Sequence, residues 1–190
     1  MLGDSQLNVY ILGSGLTPHQ RERLQAQVQT ALRALPSWSL DLLRGRVQLL
    51  GVRNLPLIVE PRAPADASRQ VIGFGQVESR PAVRLMPRLD GDSVNWGQDA
   101  RYLVAKAVAY LAAPGADDAG FWTRWAQAVA DDGLQVKARA GGEHWAEATD
   151  LDLLLEMFAA YALSREHVRW SEMPAVKAFL EIWRAEATPP

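Results

Sequence analysis

The stretch from Asp99 to Ala113 constrains the fold more than any other part of the chain. It reads Asp-Ala-Arg-Tyr-Leu-Val-Ala-Lys-Ala-Val-Ala-Tyr-Leu-Ala-Ala, and it is the most helix-like and most apolar segment of the sequence. Its single lysine, Lys106, is unexpected because the chain uses three lysines against seventeen arginines. A long cation on an apolar helix either extends its ammonium group to water or pairs with an acidic side chain. The fold must provide one of these two environments at Lys106.

The residues before position 97 predict a small sheet. Short apolar runs bounded by turn residues are typical of strands. Such runs occur at residues 8–12, 46–52, 55–60, 71–77 and 82–86. The last two runs predict a hairpin around 79–81, and residues 88–97 predict a polar turn region.

One helix is predicted within this sheet-forming part. Thr17 and Gln20 have the spacing of a capping box, and Pro18 suits the first turn of a helix. Apolar residues then recur at helical spacing until Pro36, which ends the helix.

After residue 97 the pattern changes from strands to helices. Four helices are predicted, at residues 98–113, 121–130, 151–163 and 174–184. The order predicts one α+β domain over residues 1–190. Residues 7–97 would form a small mixed sheet of about four strands with one packed helix, and residues 98–186 a helical lobe of about four helices.

Composition narrows the function classes. Apolar residues make up 48% and charged residues 22% of the chain, as in ordinary globular proteins. A net charge of −2 argues against nucleic-acid binding, and the longest apolar runs are too short to span a membrane. The absence of cysteine excludes disulfides and cysteine-ligated metals. The first residues lack a basic segment, so a cytoplasmic location is expected, and heavy use of Arg and Ala fits a GC-rich bacterial genome.

Other polar groups give weaker signals. The loop Gly13-Ser-Gly15 lacks the third glycine of the dinucleotide-binding pattern and predicts a plain turn. The histidines His19, His144 and His167 are too far apart in sequence to form a local metal pair. The segment from Glu143 to Glu147 could form a metal or acid–base cluster, or the solvated face of a short helix.

Two segments of the helical part carry a family resemblance. Residues 102–111 read Tyr-Leu-Val-Ala-Lys-Ala-Val-Ala-Tyr-Leu, and residues 152–161 read Asp-Leu-Leu-Leu-Glu-Met-Phe-Ala-Ala-Tyr. Their order resembles gluzincin-type zincins, particularly the minimal zincins and the lethal-factor type of catalytic domain. In that family one helix carries His-Glu-x-x-His, and a later helix carries an acidic segment that supplies the third zinc ligand.

The resemblance implies a zincin-like fold whose catalytic motif has been lost. Ala105, Lys106 and Ala109 would occupy the His, Glu and His positions, with Asp152 or Glu156 at the third-ligand position. Alanine offers no lone pair to zinc, and a protonated lysine cannot accept a proton from a metal-bound water. The resemblance therefore implies no metal, no cofactor and no catalytic residue at these five positions. Lys106 would instead contact one of the two acids, or extend to water beside the neighbouring tyrosines.

The preferred hypothesis is a non-catalytic, pseudo-metallopeptidase-like protein that binds a peptide or protein. The predicted strand Ala82, Val83, Arg84, Leu85 and Met86 matches the edge strand that lines a zincin substrate cleft, and a bound segment could extend the sheet there. One alternative is a hydrolase of another class, with a metal-free Lys/Asp/Glu site in the same cleft. The other is a structural subunit whose cleft is vestigial.

Overall fold

The computed structural model describes residues 6–62, 71–135, 148–164 and 168–186. The strands are β1 (Leu7–Ile11), β2 (Leu55–Val59), β3 (Ile72–Val77), β4 (Arg80–Leu85), β5 (Arg88–Asp90) and β6 (Ser93–Asn95). The α-helices are α1 (Pro18–Arg33), α2 (Ser37–Leu50), α3 (Ala100–Ala112), α4 (Ala119–Asp131), α5 (Asp150–Ala162) and α6 (Pro174–Glu186). The predicted α+β class and the four helices of the C-terminal part are confirmed.

Four strands form a mixed sheet in the order β1-β2-β4-β3. The pairs β1–β2 and β2–β4 are parallel, and β3 runs antiparallel to β4. Strand β2 reads Leu-Pro-Leu-Ile-Val and is buried at all five positions, which is typical of a parallel strand covered on both faces. The predicted strands at 8–12, 55–60 and 71–77 are confirmed within two residues at each end.

The prediction that Ala82, Val83, Arg84, Leu85 and Met86 form an edge strand is wrong. Strand β4, which spans the first four of these residues, pairs with β2 on one side and with β3 on the other. The alternation of buried Val83 and Leu85 with exposed Arg84 arises because the face of β4 that carries Val83 and Leu85 is covered, whereas Arg84 on the other face reaches solvent. This alternation does not show whether the strand has a hydrogen-bonded neighbour on both sides. The outer strands of this sheet are β1 and β3.

The predicted strand at 46–52 is also wrong, because residues 46–50 belong to helix α2. Leu42, Leu43 and Val47 are buried at helical spacing, whereas Leu49 is 75% exposed. The apolar residues at 46–50 are thus partly buried and partly exposed, because only one face of helix α2 packs against the core. Gly51 has a positive φ of 65° and ends the helix in a left-handed cap that favours glycine.

Residues 88–95 form the two-stranded hairpin β5–β6 where a polar turn was predicted. Gly91 and Asp92 are the signal for it, since Gly-Asp is typical of a two-residue hairpin turn and Gly91, at its first position, has a positive φ of 56°. Beyond the hairpin, Trp96 donates a hydrogen bond from Nε1 to Oε1 of Gln27 on α1, at 2.9 Å. The segment is thereby fixed against α1.

Helix α3 lies at the centre of the apolar core. It packs against α1, α2, α5 and strand β4, and so joins the sheet-forming part to the helical part. Seven of its side chains have no solvent exposure: Leu103, Val104, Ala105, Ala107, Val108, Ala109 and Leu111. Each buried leucine or valine contributes about 1.5–3 kcal/mol. No helix of the described ranges is long and apolar enough to cross a membrane.

The turn between β3 and β4 provides a test of the hairpin. Glu78 and Ser79 have φ values of 50° and 63°, a region that costs a non-glycine residue about 1–2 kcal/mol. Glycine removes that cost but adds about 0.5–1 kcal/mol of unfolded-state entropy. Ser79→Gly should therefore raise the free energy of unfolding by about 0.5 kcal/mol in urea titrations.

Ser93, exposed at the start of β6, is the matched control. It has no positive φ, so Ser93→Gly should lower the free energy of unfolding by about 0.5–1 kcal/mol. Equal signs for the two variants would contradict the turn geometry.

Candidate functional site

Three half-buried side chains form a stripe along α3. Tyr102, Lys106 and Tyr110 follow one another at intervals of four residues and so share one face of the helix. All the other residues from 103 to 113 are buried. The stripe is the part of α3 that its neighbours leave accessible, and it leads from helix α5 to strand β3.

Lys106 pairs with Glu156 of α5. Its Nζ atom donates a hydrogen bond to Oε1 of Glu156, and the hydroxyl of Tyr102 donates to Oε2 of the same carboxylate. The ammonium group also lies 5.2 Å from the centre of the Tyr102 ring, within cation–π range. The side chains of Lys106 and Glu156 are only 13% and 15% exposed. We call these three residues the Lys106 cluster.

The prediction that Lys106 contacts an acid of the later helix is confirmed for Glu156. Asp152, the other candidate, lies in the first turn of α5 and caps that helix instead. It completes a capping box with Thr149, in which its Oδ2 atom accepts from the backbone N–H of Thr149 at 2.9 Å. The spacing Thr-x-x-Asp is the sequence signal for this role. A carboxylate engaged at the first turn is one helical turn away from Glu156 and is not the partner of the lysine.

Ala105 and Ala109 flank Lys106 and have no solvent exposure. Their methyl groups fill the interior, where they allow neighbouring elements to approach α3 closely. No group of three or more metal-ligating side chains occurs among the described residues. His19 is exposed in the first turn of α1. The Glu143–Glu147 segment and His167 lie outside the described residues.

The far end of the stripe supports strand β3. The hydroxyl of Tyr110 donates to the carbonyl oxygen of Gly75 at 3.2 Å, and its ring lies 4.8 Å from that of Phe74. Burial raises the pKa of the Tyr110 hydroxyl above its usual value. The group is therefore protonated at neutral pH and remains a hydrogen-bond donor to the strand.

Strand β3 is a terminal strand of the sheet among the described residues, which the sequence did not reveal. The backbone N–H of Met86 donates to the carbonyl oxygen of Val71 at 2.8 Å. In an antiparallel pair every second residue hydrogen-bonds to the neighbouring strand, so the backbone groups of Gly73 and Gly75 also point towards β4. The N–H and C=O groups of Phe74 and Gln76 then point away from the sheet. No residue of the described ranges pairs with them. We call these groups the β3 outer edge.

Comparison with known proteins adds no assignment. No family model, no curated protein and no solved structure matches this chain.

The Lys106–Glu156 pair is testable by a double-mutant cycle. Removing one member leaves a largely buried charge without its partner, so Lys106→Met and Glu156→Leu should each lower the free energy of unfolding by about 3 kcal/mol. The double variant should recover most of that loss, because both charges are gone. Urea unfolding followed by circular dichroism measures all three values.

Lys177 and Glu181 on α6 provide the matched control. Their charged atoms are 3.6 Å apart, and both side chains are about half exposed. Lys177→Met should change the free energy of unfolding by less than about 0.5 kcal/mol. A Lys106→Met variant that costs no more than this control would contradict the structural importance of the pair.

Proposed function

We propose that this chain is a zincin-like protein without metal or peptidase activity that binds an extended peptide segment along the β3 outer edge. The observation that carries the proposal is the position of this edge, where Phe74 and Gln76 pair with no strand of the described ranges. It lies beside the central helix α3, and in the proposed correspondence the Lys106 cluster of that helix replaces a catalytic zinc.

The order of elements supports the zincin-like layout. The sheet has three parallel strands and one antiparallel outer strand, β3, and α3 packs beneath it. Helix α5 then brings Glu156 to the middle of α3, as the later helix of a zincin brings its third ligand. In this correspondence β3, not β4, is the strand that lines the cleft, because β3 is terminal and contacts α3 through Tyr110.

The residue types at the corresponding positions argue against zinc-dependent hydrolysis. Ala105 and Ala109 have no donor atoms, and a protonated amine at Lys106 cannot act as the general base. The positive charge of Lys106 instead balances Glu156, as a metal ion would. We interpret the pair as a replacement that keeps α3 and α5 together after the loss of a metal.

The β3 outer edge has the properties of a strand-addition site. Its sequence, Ile-Gly-Phe-Gly-Gln-Val, contains no proline, lysine or arginine, which are the residues that protect edge strands from pairing. Gly75, Gln76 and Val77 are exposed. A bound segment could hydrogen-bond to the backbone of Phe74 and Gln76 and so become a fifth strand.

The two alternative functions are less well supported. A metal-free hydrolase would need Lys106 or Glu156 to act on a substrate, whereas each is bonded to the other. A structural subunit would not need an accessible strand edge.

Proline at position 76 tests the binding edge. Gln76→Pro removes an outward N–H group without removing a β3–β4 hydrogen bond, so the sheet should stay intact. Gln76→Ser, which keeps the N–H group, is the matched control. Peptides selected on the full chain from a random dodecapeptide library should bind Gln76→Pro at least tenfold more weakly in fluorescence anisotropy, and Gln76→Ser almost as well as the unaltered chain.

Hydrogen exchange gives an independent measurement of the same edge. The amides of Phe74 and Gln76 should exchange more slowly when a selected peptide is bound. Failure to select any peptide, or equal affinity for the proline and serine variants, would remove the β3 outer edge as the binding site. The first outcome would favour the structural-subunit alternative.

Restoring the lost motif tests the zincin correspondence. The triple variant Ala105→His, Lys106→Glu, Ala109→His should bind zinc, with Glu156 as the third protein ligand. The two new imidazoles enter a packed interior at a cost of about 1–3 kcal/mol each, so the apo variant should be less stable than the unaltered chain. Zinc should raise its unfolding midpoint, as measured by thermal unfolding at several zinc concentrations.

Glu156→Gln in the triple background is the control, and it should weaken zinc binding at least tenfold. The unaltered chain should show no shift with zinc. A triple variant that folds by circular dichroism yet takes up no zinc would contradict the proposed correspondence.

A further inference from the structure

A second concave site lies apart from the Lys106 cluster. Helix α2, the end of α3, and helices α4 and α6 enclose a cleft of about 640 Å³, within the size range of small-molecule sites. Ala112 lines this cleft. It lies six residues beyond Lys106 and about 120° around the helix from it. The cleft therefore opens on a different side of α3. We call it the Arg46 cleft.

Most charged groups of the Arg46 cleft are already paired. Asp41 bonds to Arg44 at 2.6 Å, and Glu186 bonds to Arg124 at 3.3 Å. Asp118 caps the first turn of α4 through its side-chain oxygen. These acids are paired with other arginines or cap a helix. None of them forms an ion pair with Arg46, the third arginine of the cleft.

Arg46 is the arginine of this cleft for which the described residues provide no partner. Its Nε atom is buried from solvent and makes no hydrogen bond, and Arg46 forms no ion pair with any residue of the described ranges. A guanidinium group is always charged at neutral pH, and a covered donor without an acceptor is unfavourable. Arg46 is thus ready to bind an anionic acceptor within the cleft.

The walls around Arg46 combine charged side chains with an apolar part. Phe121 and Trp183 form a buried floor, and Leu49 is exposed at the rim. An inorganic anion would leave these surfaces unused. A ligand that combines a carboxylate with an apolar body would contact both the floor and the charge.

We infer that the Arg46 cleft binds small amphipathic carboxylates. The planar guanidinium of Arg46 can match a carboxylate with two parallel hydrogen bonds from its two terminal Nη groups, because its Nε atom is covered by the protein. Phe121 and Trp183 would hold the apolar body. This site is independent of the proposed peptide binding, because it shares no residue with the β3 outer edge or the Lys106 cluster.

Isothermal titration calorimetry with 4-phenylbutyrate on the full chain tests the inference. The compound should bind at a single saturable site. Arg46→Gln should weaken its binding about ten- to hundredfold, as expected for the loss of charge-assisted hydrogen bonds. Arg53→Gln, at an exposed arginine outside the cleft, is the matched control and should leave the affinity unchanged.

Two further compounds separate the roles of charge and apolar body. The neutral 4-phenylbutanamide should bind at least tenfold more weakly than the carboxylate, and inorganic phosphate should not compete with it. Equal binding of the amide would overturn the role of Arg46, and effective competition by phosphate would overturn the role of the apolar walls. Absence of saturable 4-phenylbutyrate binding to the unaltered chain would overturn the inference as a whole.

Stability measurements keep the test independent of folding. Because the guanidinium of Arg46 has no partner to lose, Arg46→Gln should retain the unfolding midpoint of the unaltered chain. Arg46→Lys, which keeps the charge without the planar fork, should bind 4-phenylbutyrate with intermediate affinity. If Arg46→Gln unfolds, the lysine variant still decides the question, since unchanged affinity in it would contradict recognition by the fork.

Discussion

The burial of helix α3 is the constraint on which the rest of the structure depends. Its apolar side chains pack against α1 and α2 on one side, against α5 on another and against β4 above. The alanines allow close approach, and the leucines and valines fill the space between the elements. Since the sheet and the later helices share this one partner, each of them is positioned through α3. Between residues 102 and 113, the face that its neighbours leave accessible consists of Tyr102, Lys106 and Tyr110.

The Lys106 cluster resolves the conflict that this burial creates. A lysine on an interior helix has to reach water or be neutralised, and Glu156 neutralises it from α5. The same contact connects helices α3 and α5 directly. Tyr110 extends the stripe to β3, where its hydroxyl supports the strand beside the proposed binding edge. Structural support and the candidate site thus use the same face of one helix.

The sequence predicted local elements better than their arrangement. The capping box of Thr17 and the apolar spacing of four C-terminal helices are local signals, and those helices lie where the sequence predicts them. The run at 46–52 predicts a strand because it is apolar, but it is the end of helix α2. The buried side chains of that helix, Leu42, Leu43 and Val47, begin before the run and follow helical spacing. The misplacement of the sheet edge has a different cause. A half-buried interior strand and an edge strand show the same alternation. The pattern depends on which face of the sheet is buried and not on how many strands pair with it.

The sequence by itself determined the chemistry that positions 105, 106 and 109 can perform. Alanine and lysine exclude the zinc-ligand and general-base roles wherever the helix lies, because donor atoms are a property of the residue type. Only the tertiary structure decided that Glu156 and not Asp152 meets the lysine, and that β3 and not β4 is a terminal strand of the described sheet. Both outcomes depend on contacts between residues far apart in the chain. Such contacts follow from strand order and helix packing, which periodicity along the sequence does not encode.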